Sequence, residues 1–149
     1  MNALNTTDAM LKESTEPMEK IKTDILIIGA GSGGLSVAAG ASQMGADVVL
    51  LEGHKMGGDC LNFGCVPSKA LIAAGKQAHA MSHGAKFGVT PVMPEVSYAA
   101  AKDHVHKVID TIAPVDSQER FEGMGVRVIR EFGKFIDAKT VQAGPYQIT

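Results

Sequence analysis

An α/β domain organised on a parallel β-sheet is the fold this 149-residue sequence predicts, and three observations predict it. The run Asp24-Ile25-Leu26-Ile27-Ile28 is short, rich in β-branched residues and closed by glycine, which fits a strand covered on both faces. A second run of the same kind, Asp47-Val48-Val49-Leu50-Leu51, lies downstream. Between them, Gly33 to Met44 is small, apolar and free of proline, as the crossover helix of a parallel strand pair should be, with Gly45 as its stop.

The later elements rest on local signals. Gly58 to His79 reads as a helix interrupted near Gly64 and Pro67, because glycine weakens a helix and proline removes an internal hydrogen bond. Gly84 to Pro94 holds two prolines and two glycines and is expected to be a loop. Tyr98, Ala101, Val105, Val108, Ile109 and Ile112 recur at three- and four-residue steps, so Ser97 to Ala113 is predicted to be an amphipathic helix capped by Ser97 and stopped by Pro114. Asp116 and Glu119 suggest a short capped helix ending near Gly123 or Gly125. Val126 to Ile129, Phe132 to Ile136 and Tyr146 to Ile148 read as a small antiparallel meander appended to the parallel sheet. Residues 1–22 are polar and are expected to be a flexible tail, leaving 23–149 as one domain.

With a net charge of -2 and an aromatic content of 5% without tryptophan, nothing favours nucleic acid or a membrane as partner, and a small molecule is the expectation. The first 22 residues lack the basic start and apolar stretch of a secretory signal, so a cytoplasmic location is expected. In a reducing compartment, two closely spaced cysteines point to catalytic or redox-sensing chemistry, with two inert thiols as the plainer alternative.

Gly29-Ala30-Gly31-Ser32-Gly33-Gly34 fits the pattern G-x-G-x-x-G and lies between a predicted strand and a predicted helix. In that setting the first glycine permits a tight turn, the second lets a pyrophosphate reach the backbone, and the last allows close packing of helix on strand. The helix N-terminus adds amide donors and a partial positive charge. Glu52, eighteen residues after Gly34, ends the second strand where a carboxylate can accept from ribose hydroxyls. Together these features describe a Rossmann-like dinucleotide-binding unit. A purely structural glycine turn is the alternative.

Cys60 and Cys65 are the only cysteines. On a regular helix, residues five apart have Cα atoms roughly 8.7 Å apart and point about 140° from each other, too far and too divergent for a disulfide. The helix must therefore be broken if they bond, and Gly64 and Pro67 suit such a break. A helix N-terminus near Gly58 would favour thiolates, whereas the charge of Asp59 would favour the protonated form of Cys60. A zinc site would need about four ligands, and only scattered His54, His79, His83, His104 and His106 accompany the cysteines. His79 and His83, four apart, read as a solvent-facing pair.

The segment Gly57-Gly58-Asp59-Cys60-Leu61-Asn62-Phe63-Gly64-Cys65-Val66-Pro67-Ser68-Lys69 resembles the redox-active signature of class I pyridine nucleotide-disulfide oxidoreductases, the family of dihydrolipoyl dehydrogenase, glutathione reductase and mercuric reductase. The resemblance extends from about Thr23 to the last residue, and Asp116 to Glu122 is similar to a run of mercuric-reductase-like members. Asp59 stands where Thr is usual and Phe63 where a smaller residue is frequent. The resemblance implies that Gly29, Gly31, Ser32, Gly33 and Gly34 cradle an FAD pyrophosphate, that Glu52 holds its adenosine ribose, and that Gly58 and Asp59 lie near the flavin. It implies Cys60 as the interchange thiol, Cys65 as the charge-transfer thiolate facing the flavin, and Lys69 beside the flavin ring. Gly133 and Lys134 match the adenine-contacting segment, although Glu131 replaces a glycine often found there.

The resemblance further implies electron transfer from NAD(P)H through FAD to a Cys60–Cys65 disulfide, then to a small dithiol, disulfide or metal-ion substrate. The complete protein is expected to be a homodimer. Family members are roughly three times longer, so the chain is expected to be the N-terminal part of the enzyme. Its FAD domain would be incomplete, its NAD(P)H domain missing, and the piece poorly stable and inactive alone. A non-catalytic dinucleotide-binding module with a thiol switch is the alternative, and a nicotinamide-dependent dehydrogenase fold is a third reading.

Overall fold

The computed structural model describes residues 18–149. Strand β2, Ile25–Ile28, passes through helix α1, Ser32–Gln43, into β3, Val48–Leu51, and the two strands pair in parallel from Ile25 opposite Val48 to Ile28 opposite Leu51. Every residue of β3 is buried, because this strand is central and covered on both faces. Its side chains alternate. Val48 and Leu50 enter a cluster with Ile27, Leu35, Ala38 and Phe121, while Val49 and Leu51 enter another with Ile21, Ile129, Val141 and Ile148. Burying Leu50 completely contributes about 2–3 kcal/mol.

Those two clusters define three layers. Helices α1 and α5, Gln118–Gly123, cover one face of the parallel sheet, and a second, four-stranded sheet covers the other. The second sheet has the order β1, Glu19–Ile21; β7, Tyr146–Ile148; β6, Val141–Ala143; β5, Lys134–Phe135. Strands β5, β6 and β7 are antiparallel, whereas β1 joins β7 in parallel, Ile21 opposite Ile148.

Several sequence expectations are corrected by this arrangement. Residues 1–17 of the expected tail 1–22 lie outside the described residues, but Glu19–Ile21, within that tail, is a strand, held because Ile21 is buried and Arg127 pairs with Glu19 at 2.8 Å. Strand β4, Arg127–Ile129, is not part of the meander; it pairs in parallel with β3 as the third strand of the parallel sheet, where Val128 and Ile129 supply both clusters. Strand β6 carries no apolar run and so gives no strand signal of its own; it forms because Val141 and Ala143 alternate inward.

The interrupted helix is two helices, α2, Gly58–Asn62, and α3, Cys65–Ser82. Only Gly64 sits at the break. Pro67 lies within the first turn of α3, where no amide has an intrahelical partner, and the first bond of that helix is Ser68 N–H to Gly64 O, 3.1 Å. Helix α4 covers Tyr98–Ile112, with the Ser97 hydroxyl accepting from Ala100 N–H as expected, and then tightens into a 3₁₀ turn through Asp116 that contains Pro114. The cap of α5 is Ser117, accepting from Arg120 N–H, rather than Asp116. Helices α3 and α4 pack mainly on each other and bury only Ala70 and Val105.

Candidate functional site

Only three residues separate β2 from α1, so the chain must reverse tightly there. Gly29 does so with φ +102, in the left-handed region that glycine adopts freely, while its N–H donates to Leu51 O at 2.8 Å. Gly34 is required for another reason. A Cβ at Gly34 would lie 2.0 Å from the carbonyl oxygen of Gly29, so helix and strand approach too closely for any side chain. Gly31 and Gly33 differ: an added Cβ at either meets nothing within 4 Å. Their outer side is open, Gly31 caps α1 without a side-chain hydrogen bond, and the first amides of a 12-residue helix are left to bind an anion there.

Glu52, just after β3, braces this loop. Its Oε2 accepts from Ala30 N–H and its Oε1 from His54 N–H, both at 2.7 Å, so one carboxylate couples the glycine loop to the segment leading into α2. Arg130, just after β4, secures the same segment by donating to the carbonyl of Glu52 at 3.2 Å and to that of His54. Gly58 then closes the arrangement. With φ +56 it sits so near Gly31 that a Cβ would come within 2.7 Å of the Gly31 Cα, which seats the start of α2 on the glycine loop. Buried Leu61 anchors α2, filling the place of a side chain at Gly57.

Cys60 comes two residues after Gly58 and is half-buried; Cys65, the first residue of α3, is exposed. Both are free thiols, and Cys65 is the neighbour that most perturbs Cys60. The break makes this proximity, because Phe63 and Gly64 both donate their N–H to the Asp59 carbonyl, at 2.9 and 2.7 Å, and turn the chain between the sulfurs. A side chain at Gly64 would strike Asp59 Oδ2 at 2.6 Å. The neighbouring Cys65 side chain pushes the Cys60 thiol above its ordinary value, burial and the Cys65 charge add to this, and the Cys65 backbone N–H and then Lys69 partly offset it. The Asp59 carboxylate lies against Gly64.

Lys69 is exposed one turn beyond Cys65 on α3. Gly133 lies at the C-terminal end of the parallel strands, where an added Cβ would come 2.7 Å from Leu51 Cδ1 and 3.5 Å from Ile28 Cδ1; Lys134 comes next with its side chain exposed. The fold thus gathers Gly29, Gly31, Ser32, Gly33, Gly34, Glu52, Gly58 and Gly133 at one end of the sheet, with Asp59 and Cys60 following on α2 and Cys65 opening α3.

Further side chains shape this neighbourhood without being recognisable as site residues in the sequence. Asn62 donates its side-chain amide to Met56 O at 3.0 Å and to Gly58 O at 2.8 Å, fixing α2 to the loop before it. Its place inside the cysteine run is the available signal. Arg130 and His54 carry none, because a clamp between distant loops leaves no spacing pattern. Phe132 lies over the backbone of Gly53, whose Cβ would meet the ring at 2.5 Å. Phe63, 61% exposed between the cysteines, has Lys55 Nζ 5.2 Å above its ring and helps line a groove of about 270 Å³ between α3 and α4, with Pro67, Leu71, Tyr98, Val105 and His106.

Comparison with known proteins identifies the family. The family described as pyridine nucleotide-disulphide oxidoreductase matches residues 23–148. A dihydrolipoyl dehydrogenase of Halobacterium salinarum is 43% identical over 60% of this chain and 19% of its own length, and that of Geobacillus stearothermophilus is 32% identical over 82% and 26%. A mercuric reductase of Lysinibacillus sphaericus is 33% identical over 80% of this chain and 22% of its own. The chain therefore spans about a quarter or less of the length of these relatives. Among solved structures, the Cu(II) complex of the HOCl-induced flavoprotein disulfide reductase RclA from Escherichia coli shares the fold, with a TM-score of 0.63 and 22% identity over 79% of this chain and 24% of that one. Motif, strand order and matched span converge, and the chain belongs to the pyridine nucleotide-disulphide oxidoreductase family.

Proposed function

We propose that residues 23–149 are the FAD- and dithiol-bearing part of a flavoprotein oxidoreductase that passes electrons from NAD(P)H to a small dithiol, disulfide or metal-ion substrate. The observation that supports this reading is the contact of Gly58 with Gly31, which seats the start of the cysteine-bearing helix α2 on the glycine loop. The residues fit the cofactor. Backbone at Gly31 and Gly33 is open to a pyrophosphate, the α1 amides face it, and the Glu52 oxygens keep lone pairs for ribose hydroxyls beyond the two backbone bonds they accept. Gly29, Ser32, Gly34, Gly58, Asp59, Gly133 and Lys134 complete the proposed cofactor contacts.

When bound, FAD supplies the two-electron redox chemistry. In the oxidised form, the Cys60–Cys65 disulfide accepts two electrons; its S–S bond breaks and two thiols result once two protons are taken up. Cys60 is the thiol that exchanges with substrate, and Cys65, next to the positive end of α3, is held on the cofactor side. Lys69 supplies positive charge to both sulfur and flavin. NAD(P)H would be bound by a portion of the protein outside this chain, in a cytoplasmic homodimer. None of the described helices is long and apolar enough to cross a membrane.

Spectroscopy tests the proposal. A yellow protein that gains a long-wavelength charge-transfer band on two-electron reduction, lost in Cys65→Ala, is the expected result. Protein that binds no flavin, yet cycles between dithiol and disulfide, would replace it with a non-catalytic thiol switch.

A further inference from the structure

We propose that His79 and His83, at the far end of α3 from the cysteines, form a two-imidazole chelate for a borderline divalent transition ion such as Cu(II). Four-residue spacing on a helix puts both side chains on one face, and the rings stand 3.8 Å apart at their centroids, only 13° from parallel. Two nitrogens bound in adjacent positions to one ion at about 2.0–2.1 Å lie roughly 3 Å from each other, and because each lone pair lies in its ring plane, binding requires the two stacked rings to turn toward one another about their Cβ–Cγ bonds.

An independent observation concerns the tautomer. His83 Nδ1 lies 3.0 Å from the His79 carbonyl, which can only accept and so assigns the proton to Nδ1, with the Ser82 hydroxyl 2.9 Å from the same nitrogen. Nε2 of His83 therefore carries the free lone pair, the arrangement that metal-bound histidines use when a carbonyl takes their other N–H. Both imidazoles are exposed. They flank the last turn of α3, where the negative end of the helix dipole favours a cation. No third His, Cys, Asp or Glu joins them among the described residues, so water completes the coordination. Two neutral imidazoles without a carboxylate disfavour Mg²⁺ and Ca²⁺, and the order of divalent affinities selects Cu(II).

The test uses the 149-residue chain carrying Cys60→Ser and Cys65→Ser, which removes competing thiols, with Cu(II) as probe followed by electron paramagnetic resonance and equilibrium dialysis. One ion per chain with nitrogen couplings from two imidazoles is expected. His79→Gln and His83→Gln should each weaken binding at least tenfold and remove one nitrogen coupling, with helicity by circular dichroism unchanged. The double variant His104→Gln, His106→Gln should bind as the parent does. Copper binding indifferent to His79→Gln and His83→Gln, or lost with His104 and His106, overturns the assignment.

Discussion

Two glycines of one loop are expected to fail in opposite ways when given a methyl group. In Gly34→Ala the new Cβ would sit 2.0 Å from the Gly29 carbonyl oxygen and 3.2 Å from its carbon, against an ordinary contact of at least 3.4 Å. The colliding atoms are backbone, so α1 must retreat from β2 by about 1 Å, loosening Leu35 and Ala38 within their cluster. Such overpacking costs about 2–3 kcal/mol, or roughly 8–12 °C in Tm for a domain of this size. Gly31→Ala has open space around its Cβ and an extended backbone at φ -80. The gain from restricting the unfolded chain, about 0.4–1 kcal/mol, is offset by the poorer helix cap, so Tm should move by no more than about 2 °C. The same methyl group nevertheless occupies the approach of a pyrophosphate, and FAD affinity should fall at least tenfold. Thermal melts followed by circular dichroism and flavin fluorescence titration read both quantities. Equal destabilisation by the two variants, or undiminished flavin binding by Gly31→Ala, would refute the division of roles drawn between these glycines.

Cys65→Ala removes the group that raises the Cys60 thiol, so the midpoint of Cys60 alkylation by iodoacetamide against pH should move downward; a profile left in place would sink the coupled-thiol geometry. Glu52→Leu deletes two hydrogen bonds between the glycine loop and the segment before α2 and should cost about 2–3 kcal/mol in urea unfolding, whereas Glu52→Gln, which keeps one acceptor, should lose about half of that. The Asp137 carboxylate is held below its usual range by the Lys139 N–H and the Thr140 side chain. A lowered carboxylate stabilises the fold above its unfolded value of 3.8 and loses this contribution as pH falls through the folded value. The parent should therefore shed slightly more stability than Asp137→Asn on acidification below about pH 4, and parallel acid curves would count against that turn.

Strands β2 and β3, helix α1, the cap at Ser97 and the glycine loop are legible in the sequence because each is encoded by neighbours a few residues apart. The cysteine break is legible for its chemistry, since glycine at position 64 is the residue that relieves a helix where Asp59 crowds it. The elements that escape a sequence reading depend on long-range pairing. Glu19–Ile21 contains one apolar residue and becomes a strand only because β7 offers it an edge. Val126 to Ile129 reads as a strand from its own residues, but its placement beside β3 is decided by Phe121 and Val128 meeting the α1 cluster. Pro67 misleads because proline weakens a helix only where its missing N–H would have had an acceptor. The clamp of Arg130 on the Glu52 and His54 carbonyls joins residues whose separation no local pattern records.

The parallel pairing of β1 with β7 has a kinetic corollary. Thr149 N–H donates to the Ile21 carbonyl at 2.9 Å, and Ile148 opposite Ile21 is completely buried, so β1 finds its partner almost the whole described length of chain away. Closing a loop of that size costs configurational entropy before any contact rewards it, which slows folding relative to the locally connected β2–α1–β3 unit. During synthesis, the glycine-loop half can assemble while the second sheet is still waiting for β7. Acquisition of native hydrogen-exchange protection should accordingly appear first at Val48–Leu51 and last at Glu19–Ile21.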